Sequence, residues 1–415
     1  MPSTPSLDCL ASVDYPLPVA NVFGVHAALI VGPPRAAVRE LMSRLLFLIP
    51  NLGTGGAERV VVTVASGLAE RGVDVHLGVI DADGPLRSEI DERVMVHEMR
   101  SRRAATAGPS IVKLVRSIRP DVVWSHLSHL NLALATVRRF LPRRTLVVVE
   151  QHSMPSMDHV SVMGRELGAR SLRWYRFADR VVACSPAVAE ELVTLCGLDR
   201  DVVEVIENPV DTDRFRPQAA TLSPFVGDGS HILGLGSFKT DKAFERLIAA
   251  FNRFSEDRHD VDLWIVGDGA ERAALEQLRE QSPHSARIHM PGVTTEPELW
   301  MCHADVFVST SRVEAQPLVV LEGLACGTPV VAYDAIGGIG DVLRGASGAL
   351  LVDDGDIAGM AEAIGIALSE DFPSPTLPEK HSLAAILDDF ERMISTSSSG
   401  KRNGGLVSER FRRAG

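Results

Sequence analysis

From Met42 onward, short apolar runs alternate with amphipathic stretches, and this constrains the fold more than any other feature of the chain. The runs are LLFLI, VDVHLGVI, DVVWS, TLVVVE and RVVACS. Helices are expected between them, around Glu58 to Arg71, Ser110 to Arg119, Asn131 to Leu141 and Pro186 to Leu195. Near IENPVDTDRFRPQ the pattern breaks into a Pro- and Asp-containing stretch. It restarts with HILGLGS, a helix at Ala243 to Phe254, DLWIVGDG, RIHMPG, DVFVST, a helix at Pro317 to Cys326, PVVAYD and a strand near Ala349 to Val352. The prediction is two doubly wound α/β domains, 42–210 and 211–394. Residues 1–41 read as an N-terminal extension, disordered or a mis-assigned start, and 395–415 as a flexible tail. Open α/β sheets bind ligands beyond the C-terminal ends of their strands, so the site is expected in the cleft between the domains.

Composition narrows the class. A hydrophobic content of 45% with 23% charged residues is that of a globular protein, and no run of about twenty apolar residues could span a bilayer. The five cysteines (Cys9, Cys184, Cys196, Cys302, Cys326) show no CxxC or ligand-like spacing, which predicts reduced thiols and a cytoplasmic protein. The net charge of -12 is unevenly placed: residues 1–210 hold 23 basic and 23 acidic side chains, and 211–415 hold 19 and 31. Residues 100–180 hold 15 basic against 5 acidic ones, a patch suited to anionic lipid headgroups or a phosphorylated acceptor and equally to solvated helix faces.

Several segments carry candidate chemistry. GTGGAE follows the first strand and opens a helix, so Gly53, Gly55 and Gly56 let the backbone approach an anion; a tight turn without ligand is the alternative. DVVWSH brings His126 to a strand end, with His129 three residues later; a metal at that pair lacks a visible third ligand. Lys239 and Lys242 follow HILGLGS, where they can supply positive charge to a diphosphate. The GDG turn at Gly267 and Gly269 could meet a nucleotide but does not satisfy GxGxxG, which counts against an NAD-dependent oxidoreductase. In SRVEAQPLVVLEGLACGTPVVA, Glu314 sits in a loop and Glu322 rides a helix begun by Pro317 and Leu318 and ended by Gly327 and Pro329. DxD triplets at Asp81–Asp83, Asp211–Asp213 and Asp260–Asp262 read as turn chemistry, so no obligatory metal or other cofactor is expected.

Met42 to about Met393 resembles family 4 of the retaining glycosyltransferases, the glycosyl transferases group 1. The resemblance rests on GTGGAE, PDVVWSH, DRVVACSPAVAEEL, VIENPVDTDRF, VGDGAERAAL and EAQPLVVLEGLACGTPVV, in that order. It implies the GT-B fold, two facing Rossmann-like domains with an interdomain cleft. The activity implied is retaining transfer of a hexosyl or N-acetylhexosaminyl group from a nucleotide-sugar, a UDP-sugar foremost. The acceptor would be a glycan or lipid-linked intermediate of cell-surface polysaccharide or glycoconjugate synthesis, with no nucleic acid partner.

By the same resemblance Glu314 binds donor-sugar hydroxyls, Glu322 the ribose, and Lys242 the diphosphate. His126 lies near the donor sugar, the Gly53–Gly56 turn touches phosphate or acceptor, and Gly337 and Gly338 approach the donor phosphates. The chain departs from the family pattern at Ser237, where an Arg is usual, at Ala315-Gln316 for Gly-Phe, and at Gly340-Asp341 for Pro-Glu. Lys239 is placed to take over the missing charge. A nucleotide-sugar 2-epimerase and a noncatalytic sugar-nucleotide-binding scaffold are the alternatives.

Overall fold

A computed structural model describes residues 44–400, apart from 102, 159–160, 163–164, 167 and 218–221. The expected N-terminal extension, Cys9 and residues 401–415 of the expected tail lie outside the described residues.

The first half forms a seven-stranded parallel sheet. In spatial order its strands are Met95–Glu98, Asp74–Val79, Arg44–Ile49, Val122–His126, Leu146–Gln151, Arg180–Ala183 and Val203–Val205. The second half repeats the plan with six parallel strands: Ile288–Gly292, Val261–Val266, Ser230–Leu235, Val306–Ser309, Val330–Tyr333 and Ala349–Val352. The two domains expected from the alternation are therefore present. Sequence reading missed the edge strands Met95–Glu98 and Val203–Val205, which are short and half exposed and lack the apolar run that marks a central strand.

Period-two geometry explains why the central strands are apolar throughout. Leu46 and Leu48 enter the core layer on one face of the first sheet, while Leu45, Phe47 and Ile49 enter the layer on the other. Ile232 and Leu233 divide in the same way between the two layers of the second sheet.

The order in which strands are added reverses beside the first strand of each sheet, between Arg44–Ile49 and Val122–His126 and between Ser230–Leu235 and Val306–Ser309. Such switch points leave a crevice at the strand ends. His126 ends one of these four strands, and the segments leaving the other three carry Gly53–Gly56, Ser237–Lys242 and Thr310–Glu314.

The Leu383–Gly400 helix departs from the expected boundaries. It continues through residues assigned to the tail and packs on the first sheet rather than the second, where Phe390 stacks on Trp124 at 4.4 Å and meets Phe47 at 6.2 Å. Ile386, Leu387, Met393 and Ile394 join the same apolar layer, and Arg71 pairs with Asp388 at 2.6 Å. The last helix thus closes the core of the first domain. Phe390→Ala is expected to cost about 3 kcal/mol through the cavity it leaves, measured as a lower urea midpoint.

Candidate active site

The Gly56–Glu70 and Leu318–Cys326 helices start against each other. A methyl group on Gly56 would lie 3.3 Å from Leu318 Cδ1, so the glycine loop of the first half touches the helix start of the second. Both helices direct the positive ends of their dipoles here. In the glycine loop, Gly53 N–H donates to Asn51 Oδ1 at 2.9 Å. Lys239 is exposed on the opposing loop and acts electrostatically on Glu58, whose pKa burial raises, so a cation stands across from the glycine turn.

Lys242 is turned inward. Its Nζ donates to Glu314 Oε1, and Ser311 Oγ–H donates to the same oxygen at 2.8 Å. Burial works to lower the Lys242 pKa, but Glu314 and Asp241 more than offset it and hold the ammonium above its ordinary range. Glu314 is 9% exposed, so the loop acid is a buried ion-pair partner rather than a solvated one. Its backbone is fixed by a short pairing with Ile336–Gly337 and by Gly338 N–H donating to its carbonyl at 2.7 Å. Gly337 has φ 114°, and a Cβ there would sit 2.0 Å from the Glu314 carbonyl oxygen. Any side chain at 337 would displace Glu314.

Gly267 and Gly269 serve the same loop from behind. Both have positive φ, and a Cβ on Gly267 would lie 1.9 Å from the Gly236 carbonyl oxygen. Phe238 N–H donates to the Asp268 carbonyl at 2.8 Å and Glu271 N–H to the Phe238 carbonyl at 3.0 Å. In this structure the GDG turn braces the segment carrying Ser237, Lys239 and Lys242, a role its spacing did not suggest. Ser237 itself is exposed.

Pro317 precedes the helix that carries Glu322, accepting from Val320 N–H at 3.1 Å. Burial raises the Glu322 carboxyl to about 7, against the opposing pull of Arg59 and Arg214. Arg59, Thr63, Arg214, Leu318 and Glu322 line one cavity, and Arg214 bridges Glu89 at 3.1 Å and Glu298 at 3.0 Å. Arg59 and Arg214 escaped sequence reasoning although Arg59 directly follows GTGGAE and Arg214 lies within VIENPVDTDRF, because nothing in their spacing ties them to a glutamate so distant in sequence.

His126 ends the Val122–His126 strand and is 1% exposed. Its Nδ1 lies 3.0 Å from His152 Nε2 and 3.5 Å from Glu150 Oε2, which accepts from Trp124 Nε1–H at 2.8 Å. Burial pushes His126 well below the usual imidazole range, takes His152 down to about 4, and lifts Glu150 to about 8. Burial thus favours the neutral form of all three groups. Leu127, immediately after, has φ 68°, a costly conformation for a non-glycine residue and a frequent one at functional turns.

Among the described residues, His126, Glu150 and His152 form the group able to hold a metal ion, with ligand atoms all within 4.8 Å of one another. Sequence reading weighs His129 as a partner for His126 and sets a metal there aside for want of a third ligand; His129 lines a separate cavity with Leu132, Thr136 and Trp174. The DxD at 81 and that at 211 are turns, each closed by the third residue's N–H on the first aspartate's Oδ1, at 3.1 and 3.0 Å.

Sequence models for known families match both halves: Glycosyltransferase Family 4 over residues 54–214 and Glycosyl transferases group 1 over residues 229–370. The chain is 30% identical over 316 residues to the lipopolysaccharide core biosynthesis glycosyltransferase LpsE of Rhizobium meliloti (strain 1021), covering 75% of this chain and 84% of that one. It belongs to glycosyltransferase family 4. Another family 4 relative is the D-inositol 3-phosphate glycosyltransferase of Paenarthrobacter aurescens (strain TC1), 35% identical over 350 residues, 76% of this chain and 85% of that one. In fold, this glycosyltransferase is similar to Anabaena Alr3699/HepE solved in complex with UDP-glucose, with TM-score 0.72 and 20% identity over 85% of this chain and all of that one. Among the described residues no helix is long and apolar enough to cross a membrane.

Proposed function

We propose that this glycosyltransferase moves a hexosyl or N-acetylhexosaminyl group from a UDP-sugar, with retention, to a glycan or lipid-linked acceptor of cell-surface polysaccharide synthesis. The observation that carries this reading is the meeting of two helix N-termini at Gly56 and Leu318 beside Lys239 and the Lys242–Glu314 pair. That arrangement suits a diphosphate leaving group, on which negative charge grows as the glycosidic bond to phosphate breaks. Lys242 neutralises that charge and Lys239 stands in for the Arg replaced by Ser237. Glu314 accepts from sugar hydroxyls, Glu322 from the ribose, and His126 lies against the sugar. The acceptor hydroxyl then attacks the face the diphosphate leaves, so no carboxylate nucleophile is needed. The lipopolysaccharide-core relatives and the UDP-glucose complex of the Anabaena protein support the donor and acceptor classes.

The test is a thermal-shift and donor-hydrolysis screen of UDP-, GDP- and ADP-sugars against wild type and Glu322→Ala, because a ligand that binds only the folded state raises apparent stability. Stabilisation by UDP-sugars that the variant loses is expected. Stabilisation by none of them would shift the reading to a noncatalytic scaffold, and an isomerised donor formed without acceptor to a 2-epimerase.

Charge supplied by lysines and helix ends makes a metal dispensable, so transfer is expected to survive dialysis against a chelator. A loss restored by one divalent ion would overturn this. The reading also places the enzyme in the cytoplasm, with its basic 100–180 region meeting anionic headgroups. Exposed Trp174 and Phe140 in that region support such a contact.

A further inference from the structure

Two thiols play no part in the chemistry above. Cys302 lies on the Pro297–His303 helix and Cys326 is the last residue of the Leu318–Cys326 helix, the one that carries Glu322. Their sulfurs are 2.7 Å apart. The Cys302 S–H thus has two acceptors, the Cys326 sulfur and the Arg216 carbonyl at 3.3 Å.

The helices are held at this separation by contacts that do not involve the thiols. A Cβ on Gly323 would lie 3.4 Å from Met301 Sδ, so the glycine permits close approach, and Thr328 Oγ1–H donates to the Met301 carbonyl at 2.5 Å. Closing the sulfurs to bonding distance needs a movement of roughly 0.7 Å. Cys302 is half buried and Cys326 only 4% exposed, so a reagent from solvent meets Cys302 first.

We propose that Cys302 and Cys326 are a redox-active dithiol, which an organic disulfide of the oxidised-glutathione class converts to an intramolecular disulfide tying the Glu322 helix to its neighbour. The Cys302 thiolate attacks one sulfur of the oxidant. That sulfur's bond to its partner breaks, and the released thiolate takes up a proton. Cys326, as thiolate, then attacks the Cys302 sulfur of the mixed disulfide and expels the second small thiol. The two protein thiols together lose two electrons and two protons, and the organic disulfide is reduced to two thiols. The division of labour agrees with the electrostatics: the contact with Cys326 lowers the Cys302 pKa, whereas that contact and burial raise Cys326.

The experiment treats the full chain with oxidised glutathione, blocks the remaining thiols by alkylation and maps peptides by mass spectrometry without reduction. Two of the five thiols are expected to disappear into one cross-link between residues 302 and 326, reversed by dithiothreitol. Cys326→Ser should keep a glutathione adduct on Cys302 that cannot resolve, whereas Cys302→Ser should show neither adduct nor cross-link at Cys326. Full alkylation of both residues after oxidation, a lasting adduct on wild-type Cys302, or a cross-link to another cysteine or a second chain would each overturn the proposal. Both variants should retain UDP-sugar stabilisation, which separates this dithiol from the donor site.

Discussion

Lys242→Met is expected to lower sugar transfer by about 100- to 1,000-fold, the loss typical when one preorganised group facing a developing charge is removed. The same change breaks a largely buried ion pair and leaves Glu314 without its cation. With the two side chains 23% and 10% exposed, stability should fall by about 2 kcal/mol, less than for a fully desolvated pair. The two effects separate in the double variant. Adding Glu314→Gln removes the stranded carboxylate, so the urea midpoint should return towards wild type while transfer stays low. If transfer recovers with stability, Lys242 is a packing residue only, and the diphosphate is neutralised elsewhere.

Glu322→Gln should move stability and donor binding in opposite directions. Burial lifts the Glu322 carboxyl to about 7 in the folded protein from an ordinary 4.5, so the folded state holds its proton more tightly than the unfolded chain does. The unfolding free energy therefore falls as pH rises from the unfolded value through about 7, then levels off. The neutral amide lacks this penalty. Relative to wild type the variant should gain about 3 kcal/mol between pH 4 and pH 8. Its affinity for a UDP-sugar should fall roughly tenfold or more, because an amide has one acceptor oxygen where the ribose reading uses a carboxylate. A stability difference independent of pH would mean that Glu322 titrates as an exposed acid. Such a trade of stability for ligand binding is common where an active site buries a polar group.

The loops of the candidate site were readable because their constraints are local. A glycine turn that opens a helix after a strand and an acid just before a helix-starting proline announce themselves within a few residues. The alternation of apolar runs and helical stretches likewise gave both sheets, since each strand and helix carries its own period. Legibility stopped where partners come from distant segments. Trp124, Glu150, His126 and His152 meet because neighbouring parallel strands end at the same level, in a register that no short window contains.

What the sequence by itself determined here is the alternation of central strands and helices and the residues in the turns that follow them, all consequences of strand and helix periodicity; the strand order, and with it the two switch points, came from tertiary pairing. Only the tertiary structure decided that Lys242 lies against Glu314 and that GDG braces the lysine loop. Only it showed the last helix completing the first core and Cys302 and Cys326 facing each other from adjacent helices. Each of these depends on how finished elements pack, and packing is set by the summed shape of many side chains rather than by any run of neighbours.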